Sequence, residues 1–285
     1  MSRNSDRTIT VGRSLIQHGK SSDRVYLMSA ADEDMPGLLS ELERLATRER
    51  YGKIFAKAPS RWGREFAVAD YRVEAEVPGF YGGRETGLFL GKFLKEERAA
   101  IAAGDEIAAV LALCAQKGAA GPAPSKPPAD DPYLIRLCTP ADCDAMAELY
   151  RRVFPSYPFP IHDPAFLRRT MAEQVCYAGA WRQGRPTALA SAEFSPTASH
   201  AEMTDFATDP EDRGQRLAAR LLAVLEEEMG ARGIKLAYTI ARALSYGMNL
   251  SFARAGYRHA GTLINNTQIC GRIESMNVWY KPLTA

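Results

Sequence analysis

Residues 213–218 read Arg-Gly-Gln-Arg-Leu-Ala, two cations beside a glycine at the point where a helical pattern begins. Leu217, Leu221, Leu222 and Leu225 recur at the spacing of one helix face. A helix that opens there presents N–H groups without intrahelical partners, at the positive end of its dipole. Such a terminus binds anions. The stretch before it, AEMTDFAT at 201–208, alternates small or apolar side chains with polar ones, and Asp209, Pro210 and Glu211 break the pattern. In a regular strand Glu202, Thr204, Phe206 and Thr208 share one face and Asp205 takes the other. A strand bearing two carboxylates thus leads directly into an anion-binding turn.

The elements that must position this turn divide into two groups. A chain of 285 residues predicts two domains. The run GAAGPAPSKPPADDP, rich in proline and nearly free of large apolar residues, cannot build a core and reads as a linker over 118–132. It separates an N-terminal domain, 1–117, from a second domain, 133–285. In the first, short strands before residue 28 precede a helix over 31–50, a strand over 53–57, a short helix over 62–69, strands over 71–78 and 86–93 around a turn at 79–83, and an Ala-rich helix over 95–117. In the second, a strand over 133–137 is followed by helices over 140–154 and 163–171. A hairpin over 175–181 and 186–194 comes next, then the opening segment, a strand over 235–241 and a helix over 245–255. Gly256 suits the left-handed cap of that helix. Strands over 257–263 and 275–281 close the chain.

That order resembles the GNAT N-acetyltransferases, whose acyl-CoA pattern, Arg/Gln-x-x-Gly-x-Gly/Ala, is met by Arg213 and Ala218. Arg216 stands where the family usually has glycine. Asn249, Phe252 and Gly256-Tyr257 are similar to the family's second core motif, with Phe252 at the position of the usual tyrosine general acid. The segments YGKIFAKAP, VEAEVPGFYGG, AEMTDFAT and GTLINNTQICGRIESMNVWYK narrow the likeness to the β-lysine N-acetyltransferases, from about residue 12 to 281. The resemblance implies an α/β (α+β) GNAT fold with a mixed, largely antiparallel sheet, plus a smaller N-terminal α/β domain. The echo between 53–94 and 235–283 suggests that this domain is a degenerate half of the same fold; generic α/β patterning gives the same look.

The resemblance also implies chemistry. Acetyl-CoA would be the acyl donor, with no metal. Its pyrophosphate would lie on Arg213, Gly214, Gln215, Arg216, Leu217 and Ala218, and its pantetheine arm and acetyl group along Phe206, Ala207 and Thr208, with Asn249 and Phe252 alongside. A substrate ε-ammonium with a pKa of ~10.4 must lose a proton before it attacks a thioester. Glu202 is the first choice of base and Asp205 the second, while Tyr246 is a candidate acid for the leaving thiolate. Asn265, Asn266, Glu274 and Asn277 are candidates for binding β-lysine, the product being the compatible solute N6-acetyl-β-lysine. Another small amine (a polyamine, an amino sugar or lysine) or a non-catalytic acyl-CoA sensor remains open.

Composition fits these expectations. The net charge is +2 with the basic residues dispersed, so no nucleic-acid partner is expected. Five cysteines without metal-ligand spacing predict reduced thiols in the cytoplasm. No apolar run approaches the roughly 18 residues of a membrane span, and no membrane partner is expected. The oligomeric state, a homodimer included, is open.

Overall fold

The computed structural model describes residues 6–118, 130–269 and 271–283. Among them, thirteen strands form one sheet that runs through both halves of the chain. The N-terminal half supplies β1 (Arg7–Val11), β2 (Ser14–Gly19), β3 (Arg24–Ser29), α1 (Gly37–Glu49), β4 (Lys53–Pro59), α2 (Gly63–Val68), β5 (Arg72–Tyr81), β6 (Glu85–Phe93), α3 (Glu96–Ala99) and α4 (Gly104–Gly118). The C-terminal half supplies β7 (Leu134–Leu137), α5 (Cys143–Val153), α6 (Pro164–Ala172), β8 (Val175–Arg182), β9 (Arg185–Ser195), β10 (His200–Thr208), α7 (Leu217–Ala231), β11 (Leu236–Arg242), α8 (Tyr246–Arg254), β12 (Arg258–Ile269) and β13 (Arg272–Pro282).

The strand order is β1-β2-β3-β4-β6-β5-β12-β13-β11-β10-β9-β8-β7. The run β4-α2-β5-β6 repeats as β11-α8-β12-β13, and each run opens on the second strand of a parallel pair, β3 with β4 and β10 with β11. The sequence echo therefore has a topological counterpart, two half-sheets meeting edge to edge. They meet where Gly261 of β12 pairs with Ala75 of β5. A Cβ at Gly261 would run into the Glu74 carbonyl, so the approach requires glycine.

Polar clasps close the same seam. Lys53 Nζ donates to Glu74 Oε2 at 2.7 Å and to the Ile264 carbonyl at 2.7 Å, while the Ile264 N–H donates to Glu74 Oε1 at 2.7 Å. Asn265 Nδ2 donates to the Ala100 carbonyl at 2.7 Å, and Arg98 Nη2 donates to the Asn265 carbonyl at 2.7 Å.

Several sequence expectations need correction. The helix expected over 95–117 is broken into α3 and α4. The segment Glu96–Gly118 is also long and apolar enough, by length and composition only, to pass for a membrane span. In the fold Val110 and Cys114 of α4 enter the core of the C-terminal half, beside Leu221 and Phe252. The packing boundary thus precedes the expected limit at 117, and Gly118 is still helical. Of the expected linker, residues 119–129 lie outside the described residues. The strand expected over 257–263 runs on as β12 to Ile269, so Asn265 and Asn266 are not beyond its end. They lie within β12 at an irregularity between Leu263 and Thr267, where Asn265 has a φ of 43°.

Candidate active site

The strand β10 pairs in antiparallel register with β9 as far as Thr204, opposite Ser191, and resumes at Ala207, opposite Leu189. One extra residue on β10 makes a β-bulge, and Asp205 sits in it with a φ of 53°. The bulge cancels the expected alternation. Asp205 joins Glu202 and Thr204 on the wall of one cavity instead of facing away from them. On its other edge β10 pairs with β11 only from His200 to Glu202, against Leu236 to Tyr238. Beyond that point the two parallel strands have no ladder between them, and a cleft occupies the gap.

This cleft, about 680 Å3, is walled by Thr204, Phe206 and Thr208 on one side and Thr239, Ile240 and Ala241 on the other. Arg213, Gly214, Arg216, Leu217 and Ala218 close one end of it. The helix opens later than its sequence suggests. Gly214 has a φ of 83°, Arg216 caps α7 in the left-handed region at 57°, and Leu217 is the first helical residue. No side chain caps α7. The N–H groups of Leu217, Ala218 and Ala219 are therefore the ones free to meet an anion.

A second cavity, about 930 Å3, lies between the two halves of the molecule. Tyr157, Thr204, Asp205, Ile240, Ile269 and Met276 line both spaces, so the cleft and the cavity meet at the bulge. There Tyr157 Oη donates to Asp205 Oδ1 at 2.6 Å, and Ser191 Oγ donates to Asp205 Oδ2 at 2.7 Å. Burial pushes the Asp205 carboxyl above its usual range, partly offset by these two donors.

Two further carboxylates face this cavity. Tyr238 Oη donates to Glu202 Oε2 at 2.7 Å and accepts from Lys57 Nζ at 3.0 Å. The Lys57 ammonium itself lies 3.8 Å from Glu202. Burial works against the charged lysine, but Tyr238, Tyr26 and Glu202 outweigh it and hold the ammonium well above its ordinary pKa. Glu193 is the cross-strand neighbour of Glu202. It makes no hydrogen bond or ion pair among the described residues. Its side chain is open to the cavity, yet the cavity walls desolvate it, and the Glu202 charge, opposed by Lys57 and aided by Asp205, leaves its carboxyl raised to about 7. His200 lines the same cavity, and burial lowers its pKa to about 3, so the ring is neutral.

The residues singled out from sequence divide accordingly. Glu202, Asp205 and Asn266 line the cavity; Phe206, Thr208, Arg213, Gly214, Arg216, Leu217, Ala218 and Phe252 line the cleft. Phe252 packs edge-on to Phe206 at 5.5 Å. Gln215 is exposed and outside the cleft lining, and the Ala207 side chain is buried under α5.

Asn249 cannot serve a ligand as expected. Its Nδ2 donates to the carbonyls of Arg242 and Ser245, and its Oδ1 accepts from Asn277 Nδ2 and Trp279 Nε1. Asn277 is consumed by the same buried network, its Oδ1 accepting from Thr262 Oγ1. Asn265 is spent on the seam, and Glu274 pairs with Arg242 at 2.8 Å, away from the cavity lining. Tyr246 is 48% exposed and lines neither space.

Glu193, Lys57 and Tyr157 are the functional candidates that sequence reasoning missed. Pairing β9 with β10 antiparallel across the Ser195–His200 connection would have placed Glu193 opposite Glu202. Among the described residues no group of three or more His, Cys, Asp or Glu side chains is arranged to hold a metal.

Comparison with known proteins places these observations. The Acetyltransferase (GNAT) family matches residues 143–256. The chain is 32% identical over 276 residues to a β-lysine N6-acetyltransferase of Methanococcus maripaludis, covering 97% of this chain and 98% of that protein. It is 39% identical over 151 residues to the N-acetyltransferase YodP of Bacillus subtilis, covering 53% of this chain and 55% of the relative. To a β-lysine N6-acetyltransferase of Methanosarcina mazei it is 38% identical over 151 residues, covering 53% and 56%.

Proposed function

The chain belongs to the β-lysine N6-acetyltransferase family of GNAT enzymes, and we propose on that premise that it transfers acetyl from acetyl-CoA to the N6 amine of β-lysine. The observation that carries this reading is the meeting of two cavities at the β10 bulge, one ending in an anion-binding helix start and the other lined by carboxylates. Acetyl-CoA fits the cleft. Its pyrophosphate lies against the free N–H groups of α7, with Arg213 and Arg216 beside them. Its pantetheine amides meet the edge of β10 that β11 leaves unpaired, and the thioester reaches Thr204 and Asp205. A β10 N–H there offers a donor to the tetrahedral oxyanion.

The amine arrives from the cavity as an ammonium. Lys57 and Tyr238 already engage Glu202, which fixes that carboxylate and compensates its charge. Glu193 is free and has a proton affinity matched to neutral pH, so it accepts the proton while Glu202 attracts and orients the ammonium. The neutral nitrogen attacks the thioester carbon, collapse of the intermediate breaks the C–S bond, and the second proton shed by the nitrogen passes to Asp205, which returns it to Tyr157 through their hydrogen bond. Tyr157 is the one tyrosine among the described residues that lines both spaces, and it supplies the thiolate proton in place of the family tyrosine that Phe252 replaces.

Acetylation removes one of two positive charges from β-lysine and leaves a net-neutral zwitterion. That charge state suits a compatible solute accumulated in the cytoplasm. The test is thiol release from acetyl-CoA with β-lysine, followed by NMR assignment of the acetylated nitrogen. N6-acetyl-β-lysine is the expected product. Turnover of polyamines or amino sugars without turnover of β-lysine would overturn the substrate, and tight acetyl-CoA binding without turnover of any amine would make the protein a sensor.

A further inference from the structure

The end of the cavity remote from the acidic pair is built by the N-terminal half, and its charge is unbalanced. Arg24 opens β3 and lines the cavity, yet is only 5% exposed. Its guanidinium lies over the rings of Tyr26 and Phe55, with centroids at 4.9 and 5.8 Å. One terminal nitrogen donates to the Asn266 carbonyl at 2.7 Å, while Nε is buried without a partner. The cations around it are matched: Lys53 with Glu74 at 2.7 Å, and Arg98 with Asp23 at 2.9 Å. Arg24 has no carboxylate within ion-pair reach among the described residues. A buried cation without a counter-ion is costly, and a guanidinium keeps its charge even in such surroundings. Two more buried polar atoms on this cavity wall lack partners, Asn266 Oδ1 and Thr267 Oγ1.

We infer that Arg24, carried by the N-terminal half, is the receptor for the substrate's carboxylate, with Asn266 and Thr267 beside it to accept hydrogen bonds from the neighbouring β-ammonium. The inference rests on the proposed amino-acid substrate and adds the residue that selects it. The parallel register of β3 and β4 sets Arg24 level with Lys53, so Lys57, beside Glu202, lies four residue steps further along, roughly 13 Å. With side chains reaching inward from both ends, a six-carbon diamino acid fits lengthwise. Its carboxylate meets Arg24 and its terminal amine meets Glu193 and Glu202 at the bulge. The arrangement makes discrimination electrostatic: a diamine without the carboxylate leaves Arg24 buried and unpaired.

The test compares kcat/KM for β-lysine with that for pentane-1,4-diamine, the same molecule without its carboxylate, in the parent enzyme and in Arg24→Gln and Arg24→Lys. The parent should prefer β-lysine by a factor on the order of 10², because a desolvated charge pair is lost with the diamine. In Arg24→Gln the ratio should collapse towards unity through KM for β-lysine, and Arg24→Lys should retain part of it. A ratio unchanged in Arg24→Gln, or a parent that does not favour the carboxylate, would overturn the assignment. If β-lysine is no substrate at all, the functional reading fails separately, and the same ratio for lysine against pentane-1,5-diamine decides the role of Arg24.

Should the variants not fold, the parent alone still gives an answer. 3-Aminobutanoate should inhibit competitively against the amine, and 3-aminobutanamide should not. Equal inhibition by both would also overturn the proposal.

Discussion

Glu193 and Glu202 stand opposite each other across β9 and β10, and only Glu202 is engaged by partners. Desolvation raises the unpartnered Glu193, and repulsion from the Glu202 carboxylate on the same rung adds to it, so Glu193 holds its proton to about pH 7. Below that pH Glu193 is protonated and cannot accept from the substrate, so kcat/KM should rise with pH through a limb near 7. Glu193→Gln should flatten that limb and lower kcat about 10²-fold or more, the usual weight of a general base. Glu202→Gln should move the limb to lower pH, because it removes one of the charges that raises Glu193. The pH–rate profiles of the three proteins check this, and an unmoved limb in Glu193→Gln would return the base to Glu202.

The hydroxyl of Tyr157 at the meeting of the two cavities carries a second expectation. Tyr157→Phe should reduce kcat about 10²-fold with little change in acetyl-CoA affinity, since it removes a proton donor and leaves the ring in place. Tyr246→Phe should leave turnover unchanged, because that side chain is exposed and lines neither space. Steady-state kinetics with calorimetric acetyl-CoA binding separates the two.

How far the sequence spoke for the site depended on the range of the interactions involved. The anion-binding turn and the carboxylates of β10 are local patterns, and they were readable from spacing. The bulge at Asp205 was not, because strand alternation assumes unbroken pairing, and one inserted residue turns Asp205 into the cavity. The helix starts four residues later than its apolar spacing suggests because Arg216 adopts a left-handed backbone that its residue type does not advertise. Asn249 and Asn277 read as polar candidates until the fold joined them, 28 residues apart, in one buried network. Arg24 was beyond reach. Its hydrogen bond to Asn266 spans 242 residues and exists only because β5 and β12 bring the two half-sheets together.

That seam predicts a stability effect. The Lys53 and Glu74 side chains are 0% and 5% exposed, and both also bond the backbone of Ile264. Removing one partner strands a buried charge, so Glu74→Ala should cost about 3–5 kcal/mol. The double change Lys53→Met with Glu74→Leu should recover much of that loss, since replacing both charges leaves none unpaired. Denaturant unfolding of the parent, the single variant and the double variant measures both numbers. A Glu74→Ala loss below about 1 kcal/mol would show that the halves are held by other contacts.

Arg216 tests whether side chain or backbone holds the cofactor. It occupies the left-handed cap of α7 with a φ of 57°, a conformation that glycine adopts without steric cost. Arg216→Gly should therefore leave Tm unchanged or slightly raised, relief of backbone strain offsetting the greater freedom of the unfolded chain. Acetyl-CoA affinity should fall less than about tenfold, because the N–H groups of Leu217, Ala218 and Ala219 remain aimed at the phosphates while one screened, exposed cation is lost. Titration at two ionic strengths gives the answer. A larger loss that shrinks at high salt would make the Arg216 guanidinium a direct phosphate ligand.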